Sequence, residues 1–246
     1  MRAMILAAGL GTRLRPLTND RPKALVEING RTLLELALTR LRRFGIREVI
    51  VNVHHFADMI VGYLKANNNF GMRVEISREP ELLDTGGGLR NAAHFFLESN
   101  SNEAFVVHNV DVLSSIDLER MVEFHCANQA LATLAVQQRQ TSRQLLFDAR
   151  LQLCGQRSGD DEPELARPAP NLQALAFCGI HVISPGIFQL MSEQGAFPII
   201  PTYLRLAAQR ETIAGFRADE YYWRDVGTPQ KLKQAERDVQ RGVVPI

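Results

Sequence analysis

Cysteine is scarce in this sequence. Its 246 residues include three, Cys126, Cys154 and Cys178, which form no pair at metal-ligand spacing and leave an odd count. A zinc site or a framework of disulfides needs cysteines in such pairs. The chain therefore predicts reduced, structural thiols, which are typical of a cytoplasmic protein.

Long apolar runs and an excess of one charge are also missing. No apolar stretch approaches the ~20 residues that cross a bilayer, and the first residues are strand-like, without the separate apolar region and cleavage site of a signal peptide. Lysine and arginine number 28 against 27 aspartate and glutamate, a net charge of +1. This balance predicts no nucleic-acid partner and no membrane partner, so any anion-binding site should be local.

Strand-like and helix-like segments alternate in the first part of the chain. Apolar strand patterns occur at 3–8, 48–53, 73–77 and 104–110, and helical patterns at 32–44, 57–67, 88–97 and 117–127. Such alternation implies right-handed crossovers between parallel strands. The fold class that it predicts is α/β, with a Rossmann-like, doubly wound and mostly parallel sheet.

Beyond residue 130, strand-like segments follow one another without helices between them. They occur at 131–137, 144–149, 151–155 and 174–183, around a polar, proline-rich stretch at 156–171 that we expect on the surface. Helical patterns return near 185–191 and 200–209, and Thr228 and Pro229 are typical cap and first-turn residues of a last helix. We expect a single domain over residues 1–246, with a small β-rich lobe in its second half.

The segment AAGLGTRLRPLTNDRPK, residues 7–23, has the glycines of a phosphate-binding loop but no helix directly after them. Gly9 and Gly11 allow close approach of the backbone, so that successive N–H groups can face an anion. Arg13 offers a planar fork for phosphate oxygens, and Lys23 a compact positive charge. Irregular stretches of this length are uncommon in a compact domain unless they are functional. The loop predicts a phosphate site, with a plain turn bearing solvated arginines as the alternative.

Two common glycine motifs do not fit this loop. A dinucleotide fingerprint needs a third glycine at position 14, where the chain has Leu14, and a helix that begins at once. A P-loop needs a lysine directly after its second glycine, followed by serine or threonine. The sequence therefore disfavours a dinucleotide-dependent oxidoreductase.

Three further segments carry candidate site residues. Gly86, Gly87 and Gly88 in LLDTGGGLRNAAHF open a helical pattern, which favours either close approach of a ligand or a flexible turn. Asp111 follows the buried strand AFVVHNV, at the end of the strand where open α/β sheets bind ligands. Asp225 in WRDVGTP follows a second strand. Each aspartate, taken alone, is equally typical of a helix cap or a turn.

The string LAAGLGTRLRPLT, followed by PKAL, resembles the signature of the sugar-1-phosphate nucleotidyltransferases, which make nucleoside-diphosphate sugars. The resemblance runs from residue 3 to about 240. It implies the nucleotide-diphospho-sugar transferase fold, in which residues 1–130 mainly bind nucleotide and 131–246 mainly bind sugar. It also implies catalytic roles for Arg13, on the outer phosphates, for Lys23, beside the reacting phosphates, and for Asp111. The nucleotide-binding residues that match are Leu6, Ala7, Ala8, Gly9, Gly11, Thr12, Arg13, Lys23, Gly86, Gly87 and Gly88.

The resemblance also implies a magnesium cofactor, Mg²⁺, on Asp111 and Asp225. Val110 stands where the family usually has glycine, alanine or serine, which narrows the room near the substrate. In the family, the lysine of a Glu-Lys-Pro segment binds the sugar phosphate. This sequence has no such segment, since no lysine occurs between 138 and 180. The predicted sugar-binding residues are Asn109, Gly179, Arg139 and Arg143, with the two arginines in place of that lysine.

The reaction that the resemblance implies joins a nucleoside triphosphate to a sugar 1-phosphate, by direct in-line attack on the α-phosphorus, and releases pyrophosphate. The compact length and the TGGG spelling are shared with short family members that act on N-acetylmuramate 1-phosphate, which favours uridylyl transfer to an amino-sugar phosphate. Guanylyl transfer to mannose or heptose 1-phosphate is one alternative, and an inactive, nucleotide-sugar-binding regulatory homologue is another. We expect a monomer or a small homo-oligomer.

Overall fold

The computed structural model describes residues 1–98 and 102–243, which form fourteen strands and eight α-helices. The strands are β1 (Arg2–Leu6), β2 (Glu27–Ile28), β3 (Arg31–Thr32), β4 (Glu48–Val53), β5 (Arg73–Arg78), β6 (Phe105–Asn109), β7 (Val112–Ser114), β8 (Ala132–Gln137), β9 (Arg143–Phe147), β10 (Leu153–Ser158), β11 (Glu164–Leu165), β12 (Gln173–Ile183), β13 (Ile213–Arg217) and β14 (Trp223–Asp225). The helices are α1 (Leu33–Arg43), α2 (Ala57–Ala66), α3 (Asp84–Asn91), α4 (Ala93–Leu97), α5 (Leu118–Ala127), α6 (Ile187–Leu190), α7 (Ile199–Ala208) and α8 (Pro229–Gln240). None of the helices in these two ranges is long and apolar enough to cross a membrane.

The central strands of the sheet lie in the order β5, β4, β1 and β6, and all four run parallel. Leu6, at the end of β1, pairs with Asn52 of β4 on one side and with Asn109 of β6 on the other. Because the strands are parallel, their carboxyl ends meet at one edge of the sheet. The α/β fold class is confirmed, and this edge collects the residues that follow each strand.

A hydrophobic cluster covers each face of the sheet. Side chains alternate along β1, so that Ala3 and Ile5 belong to one cluster and Met4 to the other. Helices α1, α2, α5 and α8 pack in the first cluster, and α3, α4 and α7 in the second. The helices therefore lie on both faces, as the doubly wound arrangement requires.

The second half of the chain adds mainly antiparallel strands to the same sheet. Strand β12 pairs with β6, β8 and β9, while β10 pairs with β9 and β11, and β13 runs parallel to β8. The stretch at 156–171 is largely exposed, as predicted, although the short β11 lies within it. A separate two-stranded ribbon pairs β7 with β14 and sets Asp225 opposite Val112.

The helix bounds differ from the sequence pattern at the glycine-rich segment. The pattern predicts one helix over 88–97, whereas α3 begins at Asp84, contains the three glycines and is followed by the separate α4. Asp84 adopts a left-handed φ of 59° at this start. The amides of Gly86 and Gly87 donate to the carbonyl of Phe197 at 2.9 and 3.2 Å. A contact with a distant segment, which the local pattern does not contain, accounts for the difference.

Three buried histidines, His108, His125 and His181, make the stability of the fold depend on pH. His108 on β6 and His181 on β12 are enclosed, and burial lowers the pKa of His108 to about 4 and that of His181 to about 3, from an ordinary 6.5. The unfolded chain takes up these protons near pH 6.5 and the folded protein does not, so stability is lost as the pH falls below 6.5. We expect each histidine to lower the free energy of unfolding by about 2 kcal/mol between pH 7 and pH 5.

Urea unfolding at pH 7 and at pH 5 measures this loss. His181 Nδ1 is hydrogen-bonded to the Tyr203 hydroxyl at 2.8 Å. The variant His181→Gln keeps a polar partner for that hydroxyl but does not titrate, so its loss of stability should be about 2 kcal/mol smaller than that of the wild type. Equal losses in the two proteins would contradict the role of His181.

Candidate active site

A cavity of about 310 Å³ opens at the carboxyl edge of the parallel strands. Its walls come from the ends of β1, β4 and β6, from the first residues of the opening loop, and from the segment that leads into α3. The residues that line it are Leu6, Ala7, Ala8, Gly9, Lys23, Asn52, Leu82, Asp84, Thr85, Asn109, Val110 and Asp111. Seven of these were predicted as site residues from the sequence: Leu6, Ala7, Ala8, Gly9, Lys23, Asn109 and Asp111.

Asn52 at the carboxyl end of β4 lines this cavity, although it is not among the residues predicted from the sequence. Its Oδ1 accepts a hydrogen bond from the amide of Ala7 at 2.7 Å, and its Nδ2 donates to Glu79 Oε1 at 2.7 Å. Glu79 Oε2 in turn accepts the amide of Leu83 at 3.0 Å. Both side chains are almost completely buried. The only local signal is a polar residue inside the otherwise apolar strand EVIVNV, and its partners lie far along the chain.

The three glycines of α3 are buried and are not among the residues that line the cavity. A Cβ on Gly86 would lie 2.4 Å from the ring of Phe197, and one on Gly87 would lie 2.3 Å from the carbonyl oxygen of Gly195. A Cβ on Gly88 would lie 2.7 Å from Glu79 Oε1. Close packing against other parts of the protein therefore requires glycine at all three positions.

The opening loop folds back on itself around Gly11. This residue has a left-handed φ of 65°, and a Cβ there would lie 3.0 Å from Thr18 Cγ2 and 3.1 Å from Lys23 Cβ. The Thr18 hydroxyl donates to the Gly11 carbonyl at 2.9 Å. A short 3₁₀ turn over Thr12–Leu14 buries Leu14. The loop thus brings Lys23 back toward Gly11, and Arg13 remains exposed on the loop.

The ribbon of β7 and β14 brings Asp111 and Asp225 to neighbouring positions. Val112, the residue after Asp111, pairs with Asp225, and the amide of Val226 donates to the Asp111 carbonyl at 2.8 Å. A Cβ on Gly227 would lie 2.9 Å from Asp225 Oδ1 and 3.2 Å from Arg13 Nη2. Arg13 therefore reaches the turn between Asp225 and Gly227.

Each of the two carboxylates is ion-paired with a lysine. Lys23 Nζ contacts Asp111 Oδ2, and Lys231 Nζ contacts Asp225 Oδ2. The Lys23–Asp111 pair is the more enclosed, with side-chain exposures of 13 and 18%. The structure therefore gathers the predicted residues Arg13, Lys23, Asp111 and Asp225, and adds Lys231. Within residues 1–98 and 102–243, histidine, cysteine, aspartate and glutamate form no metal-binding group of three or more.

A second group of predicted residues lies at the carboxyl edge of the parallel strands, on the side of β12. Gly179 has a left-handed φ of 70°, and a Cβ there would lie 2.7 Å from Asn109 Nδ2. Trp223 Nε1 donates to the Cys178 carbonyl at 2.6 Å, and the Arg139 guanidinium stacks 3.9 Å above the Trp223 ring. Arg139 also donates to the carbonyl of Phe177 at 2.7 Å. Arg139, Gly179 and Asn109 therefore belong to one neighbourhood.

Arg143 and Cys178 differ from these residues in their surroundings. Arg143 is exposed at the start of β9, and no contact joins it to the Trp223 ring. Burial raises the pKa of the Cys178 thiol to about 12, which keeps it protonated near neutral pH. The buried thiol agrees with the structural role expected from the sequence.

The family model described as nucleotidyl transferase matches residues 2–145. The chain is 36% identical to N-acetylmuramate alpha-1-phosphate uridylyltransferase of Caulobacter vibrioides, over 95% of each chain. It is 26% identical to D-glycero-alpha-D-manno-heptose 1-phosphate guanylyltransferase of Aneurinibacillus thermoaerophilus, over 98% of this chain and 99% of the other. The fold is similar to that of HddC from Yersinia pseudotuberculosis complexed with GMP-PN, with a TM-score of 0.77, 21% identity, and coverage of 97% of this chain and 99% of the other.

Proposed function

This chain belongs to the nucleotidyl transferase family, and we propose that it transfers a nucleotidyl group from a nucleoside triphosphate to a sugar 1-phosphate. The observation that carries the proposal is the meeting of Arg13 and Lys23 with Asp111 and Asp225 beside the cavity at the sheet edge. Cations for a triphosphate and carboxylates for a divalent metal are the groups that phosphoryl-type transfer requires.

The nucleoside end of the triphosphate is assigned to the cavity. Its lining from Leu6 to Gly9 offers backbone at the end of β1, and Asp84 and Thr85 face the same space. Lys23, Val110 and Asp111 also line the cavity. We assign the reacting phosphates to Lys23 and the two outer phosphates to Arg13, since Arg13 lies on the exposed part of the loop beside Gly227.

Asp111 and Asp225 are assigned to the cofactor Mg²⁺. Mg²⁺ binds oxygen ligands and commonly uses one or two carboxylates together with substrate phosphates. The two aspartates fit this use, because they lie at neighbouring strand ends and each already holds a cation, the ammonium of a lysine. When bound, Mg²⁺ would neutralise phosphate charge and orient substrate oxygens.

The proposed reaction needs no covalent intermediate with the protein. A phosphate oxygen of the sugar 1-phosphate forms the new bond to the α-phosphorus, while the bond from that phosphorus to the bridging oxygen breaks. The electron pair of the broken bond leaves with pyrophosphate. Lys23 stabilises the charge at the transferring phosphorus, and Arg13 stabilises the leaving pyrophosphate.

The sugar phosphate is assigned to the β12 side of the edge. Gly179 and the Arg139–Trp223 stack lie there and do not line the cavity that takes the nucleoside, while Asn109 lines the cavity and contacts Gly179. Arg139 is a better substitute than Arg143 for a phosphate-binding lysine, since it is held against a residue two positions before Asp225. In this assignment residues 1–130 mainly bind nucleotide and 131–246 mainly bind sugar.

We further propose uridylyl transfer to an amino-sugar phosphate. The support is the Caulobacter vibrioides uridylyltransferase, which matches nearly the full length of both chains. Guanylyl transfer to a heptose or mannose 1-phosphate is the second candidate, favoured by the heptose 1-phosphate guanylyltransferase that matches over a similar extent.

Three free thiols suit a cytoplasmic location, where cysteines stay reduced.

Pyrophosphate release tests the function. The purified protein is incubated with Mg²⁺, with UTP, GTP, CTP, dTTP or ATP, and with a panel of sugar 1-phosphates that includes N-acetylmuramate, mannose and heptose 1-phosphates. We expect release with UTP and the amino-sugar phosphate at a rate at least tenfold above other pairs, which corresponds to about 1.4 kcal/mol of discrimination.

The panel also separates the alternatives. Preference for GTP with mannose or heptose 1-phosphate would replace the uridylyl assignment and keep the reaction. Absence of release with every pair, from protein that the cognate nucleotide stabilises against heat, would indicate the inactive binding homologue.

A further inference from the structure

Lys231 is a cation at the site to which the mechanism above gives no role. It lies in the first turn of α8, and its Nζ is ion-paired with Asp225 Oδ2. The other oxygen of that carboxylate, Oδ1, accepts the amide of Gly227 at 3.2 Å. Lys231 is 44% exposed, against 13% for Lys23. The long, flexible stem of a half-exposed lysine lets its ammonium change partners.

Lys23 and Lys231 make equivalent ion pairs with the two carboxylates. Lys23 neutralises Asp111 and Lys231 neutralises Asp225, so each carboxylate assigned to Mg²⁺ carries a monovalent counter-ion in the free protein. A divalent cation on the same oxygens would take over that attraction and repel the ammonium groups. Lys231 would then be released beside the turn that Arg13 also reaches.

We propose that Lys231 is a further phosphate-binding residue, held by Asp225 in the free protein and transferred to the outer phosphates of the nucleotide when metal binds. The position of Arg13 beside Gly227 identifies the outer phosphates, rather than the sugar phosphate, as its target. The proposal rests on the function proposed above for this same site. Lys231 and Arg13 together bind the leaving pyrophosphate from two sides.

Binding measurements test this role without turnover. Calorimetry with Mn²⁺ alone reports the competition for Asp225, and calorimetry with inorganic pyrophosphate in excess Mg²⁺ reports the phosphate contact. Lys231→Met should bind Mn²⁺ about two- to fivefold more tightly than the wild type, because an exposed ion pair no longer competes. It should bind magnesium pyrophosphate about tenfold more weakly, because a charge-assisted contact is lost.

Two other variants serve as controls. Lys233→Met removes an exposed lysine two positions along the same helix and should leave both affinities unchanged. Lys231→Arg keeps the charge and should retain most of the pyrophosphate affinity. The proposal is overturned if Lys231→Met binds Mn²⁺ no more tightly than the wild type, or if it binds magnesium pyrophosphate equally well. Failure of the proposed function would give a different result: the wild-type protein would release no pyrophosphate from any substrate pair.

Discussion

Replacing Asp111 or Asp225 by asparagine is expected to lower the rate of Mg²⁺-dependent pyrophosphate release by about 10³-fold, the equivalent of ~4 kcal/mol of transition-state stabilisation. The amide keeps the shape of the side chain but removes the negative charge that attracts a metal. The loss should be similar for both variants, because the two carboxylates lie at neighbouring strand ends and would hold one cation in the proposed mechanism.

The measurement is a steady-state assay of pyrophosphate release with saturating substrates over a range of Mg²⁺ concentrations. Asp58→Asn is the matched control, because Asp58 is 92% exposed and pairs with the surface residue Arg78. It should retain the wild-type rate. A double Asp111→Asn, Asp225→Asn variant that turns over as fast as Asp58→Asn would remove the metal assignment altogether.

Gly87→Ala is expected to have the largest effect on stability, a loss of about 3 kcal/mol in the free energy of unfolding. A Cβ at this position would lie 2.3 Å from the carbonyl oxygen of Gly195, which is backbone and cannot rotate away. The amide of Gly87 also donates to the Phe197 carbonyl at 3.2 Å. The added methyl group therefore separates α3 from the segment before α7.

Urea unfolding of Gly87→Ala beside Gly62→Ala measures this effect. Gly62 lies inside α2, and a Cβ there would have no atom within 4 Å, so its replacement should stabilise the protein by about 0.5–1 kcal/mol. If Gly87→Ala unfolds at the wild-type urea concentration but no longer binds nucleotide, then approach of a ligand, and not packing, is the reason for the glycine.

The sequence is informative where function depends on residues that are close together in the chain. The irregular loop from Gly9 to Lys23 and the strand before it follow from local composition alone. Asp111 at the end of a buried strand is equally local. The Thr228 cap of α8 is confirmed, with its hydroxyl accepting the amide of Lys231 at 3.4 Å.

Residues whose role depends on distant partners could not be identified in this way. Asn52 and Glu79 are 27 positions apart, and their hydrogen bond exists only once β4 and β5 lie side by side. Lys231 is an ordinary helix residue in the sequence, and its contact with Asp225 depends on how β14 leads into α8. The glycines of α3 carry the same local signal whether a ligand or Phe197 approaches them, so the pattern cannot distinguish the two.

The ribbon of β7 and β14 has a consequence for the order in which parts of the site form during synthesis and folding. Tyr222 donates its amide to Ser115 Oγ, 107 positions away in the chain, and the same ribbon pairs Asp225 with Val112, the residue after Asp111. Contacts between such distant positions require closure of a long loop and form slowly. During synthesis the parallel strands β1, β4, β5 and β6 emerge from the ribosome well before β14. A nascent chain therefore contains β1 and the opening loop well before the ribbon closes and sets Asp225 beside Asp111.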